Sequence, residues 1–259
     1  MKKSSYKYTP SFFKENLPEW KRKKDPVTSR LIYRPLSFVT SSFLANHKIS
    51  ANTVSYFSIF IALASCILFV IPNHICNILG AICVNLWLLS DCTDGNIARS
   101  VKKQPFGGFA DSVSSYILVA FLCTSISLAV YFDGGYFIGE KNIWVVFLGC
   151  LASTGDTLMR LVYQKYKSSE KELVDKGLIE LENDVRTDKT QTNSLLVRIE
   201  SDFGVGGILP IFILVGTIFN ILDIVVLYCF MYYFLSSVVM IIKYIKKAIT
   251  KTKEIEDQE

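Results

Sequence analysis

The chain is 259 residues long, 51% hydrophobic and 20% charged, with 28 Lys and Arg against 23 Asp and Glu. Its apolar residues gather into runs of about 20, the length that crosses a bilayer, which excludes an ordinary soluble domain. The formal charge of +5 does not point to nucleic acid, because the cations crowd alternate connections in a positive-inside pattern.

Lys and Arg concentrate in the N-terminal arm (Lys21, Arg22, Lys23, Lys24), the 99–103 and 165–200 connections and the C-terminal tail. The connections near 73, 132–141 and 221–223 carry only Lys141. This predicts a multi-pass protein of the cell membrane with both termini cytoplasmic, in contact with anionic lipid and with no nucleic-acid partner. The first 50 residues hold no apolar core, so no cleavable signal peptide is expected.

Residues 1–28 form a cytoplasmic arm, either interfacial through Phe12, Phe13, Leu17 and Trp20 or a solvated tail. From 29 to 46, apolar residues recur at helical spacing, which predicts an amphipathic helix in the headgroup plane. Pro35 either sits early in that helix or breaks it. The membrane domain runs over 29–246 and is all-α, with six spans at about 52–72, 75–98, 108–131, 142–165, 205–221 and 223–244; a charged cytoplasmic tail follows at 247–259. Ser50 or Asn52 caps the first span. The fourth holds a polar patch of Ser153, Thr154, Gly155, Asp156, Thr157 and Arg160. After it, 171–184 reads as a surface helix, 187–193 as flexible and 195–203 as a helical elbow. The seven cysteines all fall inside spans without C-x-x-C spacing, and read as packing residues. His47 and His74 fall at opposite membrane faces and do not form a metal pair.

The chemistry concentrates where the second span reaches the surface and the third begins. Asp91 and Asp94 lie three residues apart on one helix face, and Asp111 comes from the start of the next helix. Three acids converging at a bilayer edge must be paired or bind a cation. Pairing with Arg99, Lys102 and Lys103 is the simpler alternative. Hard oxygen ligands without His or thiolate favour Mg²⁺ or Mn²⁺ over zinc. Gly95 and Ala98 leave the helix surface bare for something bulky, and Arg99 offers a planar fork for phosphate. Together these make a diphosphate cradle suited to phosphoryl transfer. Arg34, Arg160 and Arg198 are candidates for an acceptor phosphate or for lipid headgroups.

The sequence Asp91-x2-Asp94-Gly95-x2-Ala98-Arg99-x7-Gly107-x3-Asp111 resembles the signature of the CDP-alcohol phosphotransferase (CDP-alcohol phosphatidyltransferase) family, and the resemblance covers nearly the whole chain. It implies a membrane homodimer in which a CDP-linked donor, a small molecule or a lipid, meets an alcohol acceptor at a two-metal site. A substituted phosphate moves to the acceptor and CMP leaves, in phospholipid biosynthesis. It further implies Asp91, Asp94 and Asp111 as metal ligands and Gly95, Ala98, Arg99 and Gly107 as the frame of the CDP. Asn52 and Ser55 match loosely the Asn and Thr of the family's first span, with Ala51 in place of a proline.

One departure bears on catalysis. Where the family carries a fourth Asp, a metal ligand and proposed general base, this chain has Ser115. Asp156 then replaces the missing acid, or Ser115 binds metal through water while Asp111 or a substrate phosphate takes the proton, or transferase activity is lost. Asp156 also stands four residues before Arg160, where a simple helix pair forms. The other readings are transfer onto a surface glycan or lipid carrier, a non-catalytic CDP- or lipid-binding protein, and a transporter.

Overall fold

The structure, a computed structural model, describes residues 7–180 and 202–257, and every regular element among them is helical. The stretch 187–193, nearly all of 195–203 and Arg198 lie outside the described residues. The N-terminal arm is docked on the membrane domain. Its first helix, α1 (Pro10–Glu15), starts at Thr9, whose hydroxyl accepts from the Phe12 N–H. Phe13 is 1% exposed and packs with Ala45, Ala51, Val54 and Ile97. Tyr8 is tied by its N–H to Asn46 Oδ1 at 3.2 Å, and its carbonyl accepts from Ser42 Oγ. A short second helix, α2 (Glu19–Lys24), follows.

The amphipathic stretch forms one helix with a widened first turn. Residues Ser29–Tyr33 are π-helical and run directly into α3 (Arg34–Asn46). Pro35 explains the widening. It has no N–H to return to the preceding turn, and the Arg34 N–H reaches back to the Ser29 carbonyl, the longer spacing of a π turn. Leu31, Leu36, Val39 and Phe43 face outward, while Ser37 and Ser41 are fully buried.

Four long helices build the core: α4 (Ala51–Val70), α5 (His74–Ser100), α6 (Gly107–Asp133) and α7 (Ile143–Asp175). Each begins where the sequence supplies a stop and, for three of them, a cap. Ser50 accepts from the Thr53 N–H, Asn73 from Ile75 and Cys76, and Asn142 from Trp144. Ser50 is therefore the cap of α4, which releases Asn52 for other contacts. Helix α4 packs on α5 and α6, and α6 packs on α7. Residues 171–175 belong to α7 itself, which is a single helix of 33 residues.

The end of the chain holds α8 (Leu209–Ile218), α9 (Leu222–Cys229), a π-helical turn at Phe230–Phe234, and α10 (Leu235–Glu256). Five helical stretches are long and apolar enough to cross a membrane: α4, α5, α6, α7 and Leu222–Glu256. The protein is thus a multi-pass membrane protein. The apolar run at 205–221 yields only the ten residues of α8, about 15 Å of helix. Glycine explains the shortfall at one end: Gly204, Gly206 and Gly207 fold into a turn closed by Gly207 N–H to the Gly204 carbonyl. At the other end Asn220 enters the left-handed region at φ 53° and stops the helix.

Buried polar residues brace the ends of the bundle. Asp223 is 2% exposed and accepts from the N–H groups of Phe137 (2.6 Å) and Ile138 (3.0 Å), pinning the 134–142 loop to the start of α9. All seven cysteines are free thiols. At the α6–α7 contact, a Cβ on Gly149 would come within 2.7 Å of the Cys123 carbonyl and closer still to Ser127. Gly149→Leu is expected to force these helices apart and lower stability by about 1–3 kcal/mol. A thermal melt of the purified protein in detergent checks this; an unchanged melting temperature would mean the helices are not in close contact there.

Candidate functional site

The acids stand where α5 ends and α6 begins. Six residues after the end of α5, Phe106 adopts a left-handed conformation at φ 57° and α6 starts at Gly107. A bulky residue there is strained, and the Gln104–Gly107 turn that contains it is tied to α4. Gln104 Oε1 accepts from the Asn52 N–H at 3.0 Å, and Asn52 Nδ2 donates to the Pro105 carbonyl at 3.0 Å. The start of α4 thereby fixes the chain reversal that carries Asp111 back towards α5.

Two cavities meet at Asp111. The smaller, about 180 Å³, is walled by Asn52, Ser55, Asp94, Gly95, Ala98, Arg99, Gly107 and Asp111, with Lys103, Gln104 and Gly108 at its edge. The larger, about 440 Å³, is walled by Asp91, Asp111, Ser112, Ser115, Tyr116, Met159, Arg160, Tyr163 and Gln164. Small residues open the first. A Cβ on Gly107 would sit 3.3 Å from Asn52 Oδ1, and one on Gly95 would sit 2.9 Å from both Nη atoms of Arg99. Asn52 Oδ1 is itself buried and without a hydrogen-bond partner among the described residues, an acceptor left open beside the cradle.

The three acids occupy different settings. Asp94 is 6% exposed and accepts a 2.5 Å hydrogen bond from Ser55 Oγ. Asp91 from α5 and Asp111 from α6 line the same wall of the larger cavity. Among the described residues, none of the three forms an ion pair with Lys or Arg, and Arg99 donates to Asn96 Oδ1 at 3.3 Å. The same residues hold no group of three or more His, Cys, Asp or Glu gathered closely enough to grip an ion as they stand. The chemistry of the donor set nevertheless fits a hard divalent cation: carboxylates from two helices line adjoining cavities, and among the described residues none has a cationic partner.

The remaining sequence candidates divide. Ser115 faces the larger cavity with Asp91 and Asp111, and so does Arg160. Asp156 lines neither cavity; it is 2% exposed and paired with Arg160, at 3.1 Å to Nε and 3.4 Å to Nη2. Arg34 also lines neither. It is 6% exposed and forks onto Asp25, Nε to Oδ2 at 2.6 Å and Nη2 to Oδ1 at 3.0 Å. Sequence reasoning passed over Tyr116, Gln164 and Gln104. Spacing is the signal that reaches two of them: Gln164 lies four residues beyond Arg160 on one helix face, and Tyr116 lies four beyond Ser112. In the structure Gln164 Nε2 donates to Tyr116 Oη at 3.3 Å, and the Arg160 guanidinium lies over the Tyr116 ring, 5.9 Å from its centroid.

A sequence model of the CDP-alcohol phosphatidyltransferase family matches residues 48–250. A comparison with curated proteins found no match.

The Asp25–Arg34 pair makes a direct prediction about acid stability. Burial would push the Asp25 carboxyl up, but the Arg34 hydrogen bonds and the charges of Lys21 and Arg34 outweigh it and hold the group below the usual carboxylate range. A depressed folded value contributes stability that is complete above about pH 4 and is lost as the pH falls through that folded value. Asp25→Asn is expected to lower the melting temperature by roughly 5 °C at pH 7 and by less at pH 3, below the pH at which the native contribution is complete. Equal losses at both pH values, measured by melting in detergent, would contradict it.

Proposed function

The chain belongs to the CDP-alcohol phosphatidyltransferase family, and we propose from that premise that it moves a substituted phosphate from a CDP-linked donor to an alcohol acceptor, with release of CMP. Membership supports phosphotransfer in general. The residue roles rest on one observation: a glycine-floored cradle and an acid-lined chamber share Asp111 as a common wall. The nucleoside diphosphate would enter the first, with its phosphates beside Arg99, Ala98 and Gly107. The acceptor enters the second, beside Asp91, Asp111 and Ser115. The reacting phosphorus then lies at the junction.

Asp91, Asp94 and Asp111 would hold Mg²⁺ or Mn²⁺. When bound, such a cation neutralises charge on the diphosphate and on the departing CMP. Serine in place of a fourth acid leaves a second ion with one carboxylate fewer. The transfer itself is a displacement at the donor's outer phosphorus. The acceptor oxygen forms the new P–O bond, the bond to the bridging oxygen of CMP breaks, and the acceptor proton passes to a carboxylate. Asp111 is the residue placed for that proton, since it faces both cavities and Ser115 stands beside it to orient the hydroxyl. Asp156 is committed to Arg160 and acts through that side chain, keeping the guanidinium at the chamber wall.

A six-span count, with α8 as a short fifth passage, both termini cytoplasmic and the site at the inner leaflet of the cell membrane, completes the proposal. The charge pattern of the connections supports the orientation, and family resemblance supports a homodimer and phospholipid synthesis.

Exchange of labelled CMP into a CDP-linked compound, run with purified protein, membrane extract and Mn²⁺, tests the reading. Asp94→Asn is expected to reduce exchange to below about one hundredth, and chelation of the metal to stop it. Undiminished exchange in either case would overturn the roles assigned. Asp156→Asn, compared per folded molecule, is expected to retain exchange within about tenfold with an unchanged pH profile. Loss as deep as that of Asp94→Asn would return the base to Asp156.

A further inference from the structure

The phosphate-binding role given to Arg99 raises the question of what aims a long, flexible cation at the cradle. Next to Asp94 and Gly95 in the motif stands Asn96, one of the two variable positions between the signature glycine and alanine. It is 2% exposed and every polar atom of its side chain is used. Its Oδ1 accepts from two guanidinium groups, Arg34 Nη1 at 3.1 Å and Arg99 Nη2 at 3.3 Å. Its Nδ2 donates to Ser37 Oγ at 2.9 Å and Ser41 Oγ at 3.3 Å on α3. Arginines have no acceptor to offer, so the amide has one workable orientation, oxygen towards the two cations and nitrogen towards the serines.

Two positive groups on one oxygen repel unless one is neutralised. Asp25 supplies that charge. Its carboxylate, 2% exposed on the side chain, forks onto Arg34 and also takes Lys21 at 3.2 Å. Arg34 is further fixed by donating to the Cys92 carbonyl at 3.3 Å. The result is a chain of contacts from the N-terminal arm through α3 to the last turns of α5. Arg99 ends that chain. It uses one donor on Asn96 and turns both Nη atoms edge-on to Gly95, 2.9 Å from where a Cβ would stand, and among the described residues its other N–H groups have no protein acceptor.

We propose that Asn96 is a positioning residue, which fixes the Arg99 guanidinium against Gly95 as the phosphate-binding arm of the cradle, with Arg34 and Asp25 holding the Asn96 carbonyl in place. The inference rests on the reading of Arg99 as a phosphate ligand. It adds that the arm and α3, outside the signature, set the affinity of the cradle.

Equilibrium binding of CDP in the presence of Mn²⁺, measured by calorimetry on the full-length protein in nanodiscs, tests this through a double-mutant cycle. Asn96→Ala is expected to weaken CDP binding roughly tenfold. Arg99→Ala is expected to weaken it at least as much, and the double variant to bind no worse than Arg99→Ala alone. Additive losses would overturn the positioning role, because Asn96 would then act without Arg99. If Arg99→Ala binds CDP as well as the native protein, the cradle reading falls and this inference with it. Arg34→Lys keeps the charge but not the fork, and serves if Asn96→Ala fails to fold. It is expected to weaken CDP only where Arg99 is present, and an equal effect in the Arg99→Ala background would contradict the proposal.

Discussion

The site depends on a single electrostatic constraint: three carboxylates on two helices line two cavities that share Asp111, and among the described residues none has a Lys or Arg paired with it. Like charges in that position are unfavourable when left alone. The surrounding sequence does not relieve them with cations of its own. Arg99 turns to Asn96, Arg160 to Asp156 and Arg34 to Asp25. Each nearby guanidinium thus has a local acceptor, and the acids remain available to a ligand that carries positive charge.

The same economy explains the shape around them. Gly95 and Gly107 make room for the Arg99 guanidinium and the Asn52 amide at the cradle, and the Gln104–Gly107 turn is clamped to Asn52 at the start of α4. Ser50 takes over the capping of α4, which leaves Asn52 free for that clamp and for an open acceptor at the cradle. The arm, α3 and the end of α5 form one polar network at the membrane surface, while the core below is built from α4 to α7 and the small residues that let them approach.

Much of this was legible in the sequence, for definable reasons. Long apolar runs with polar caps leave little freedom, so α4 to α7 fall where hydropathy and capping residues place them. The motif spacing placed Asp91, Asp94 and Asp111 on adjoining helix ends, because a 3.6-residue period and one short turn determine that much. Less was visible where partners are distant in the chain. Asp25 reads as one more acid in a charged arm, and only the fold shows it buried against Arg34. Asp223 draws no attention within an apolar stretch, yet it pins a loop 86 residues earlier through Phe137. The 205–221 run has the apolar length of a full span. Its glycines carry no signal in an apolar average, although they turn the chain and leave a ten-residue helix. Pro35 stays open in the sequence because nothing there says that a π turn will absorb it.

The central claim, that these carboxylates hold a divalent cation against a cytidine diphosphate, is tested most directly by electron–nuclear double resonance on Mn²⁺ added to the purified protein with CDP. The account predicts ³¹P hyperfine coupling from the nucleotide to the protein-bound ion, lost when Asp91 and Asp111 are both changed to Asn. Bound CDP with no coupled manganese, or a coupling that survives the loss of both acids, would contradict it.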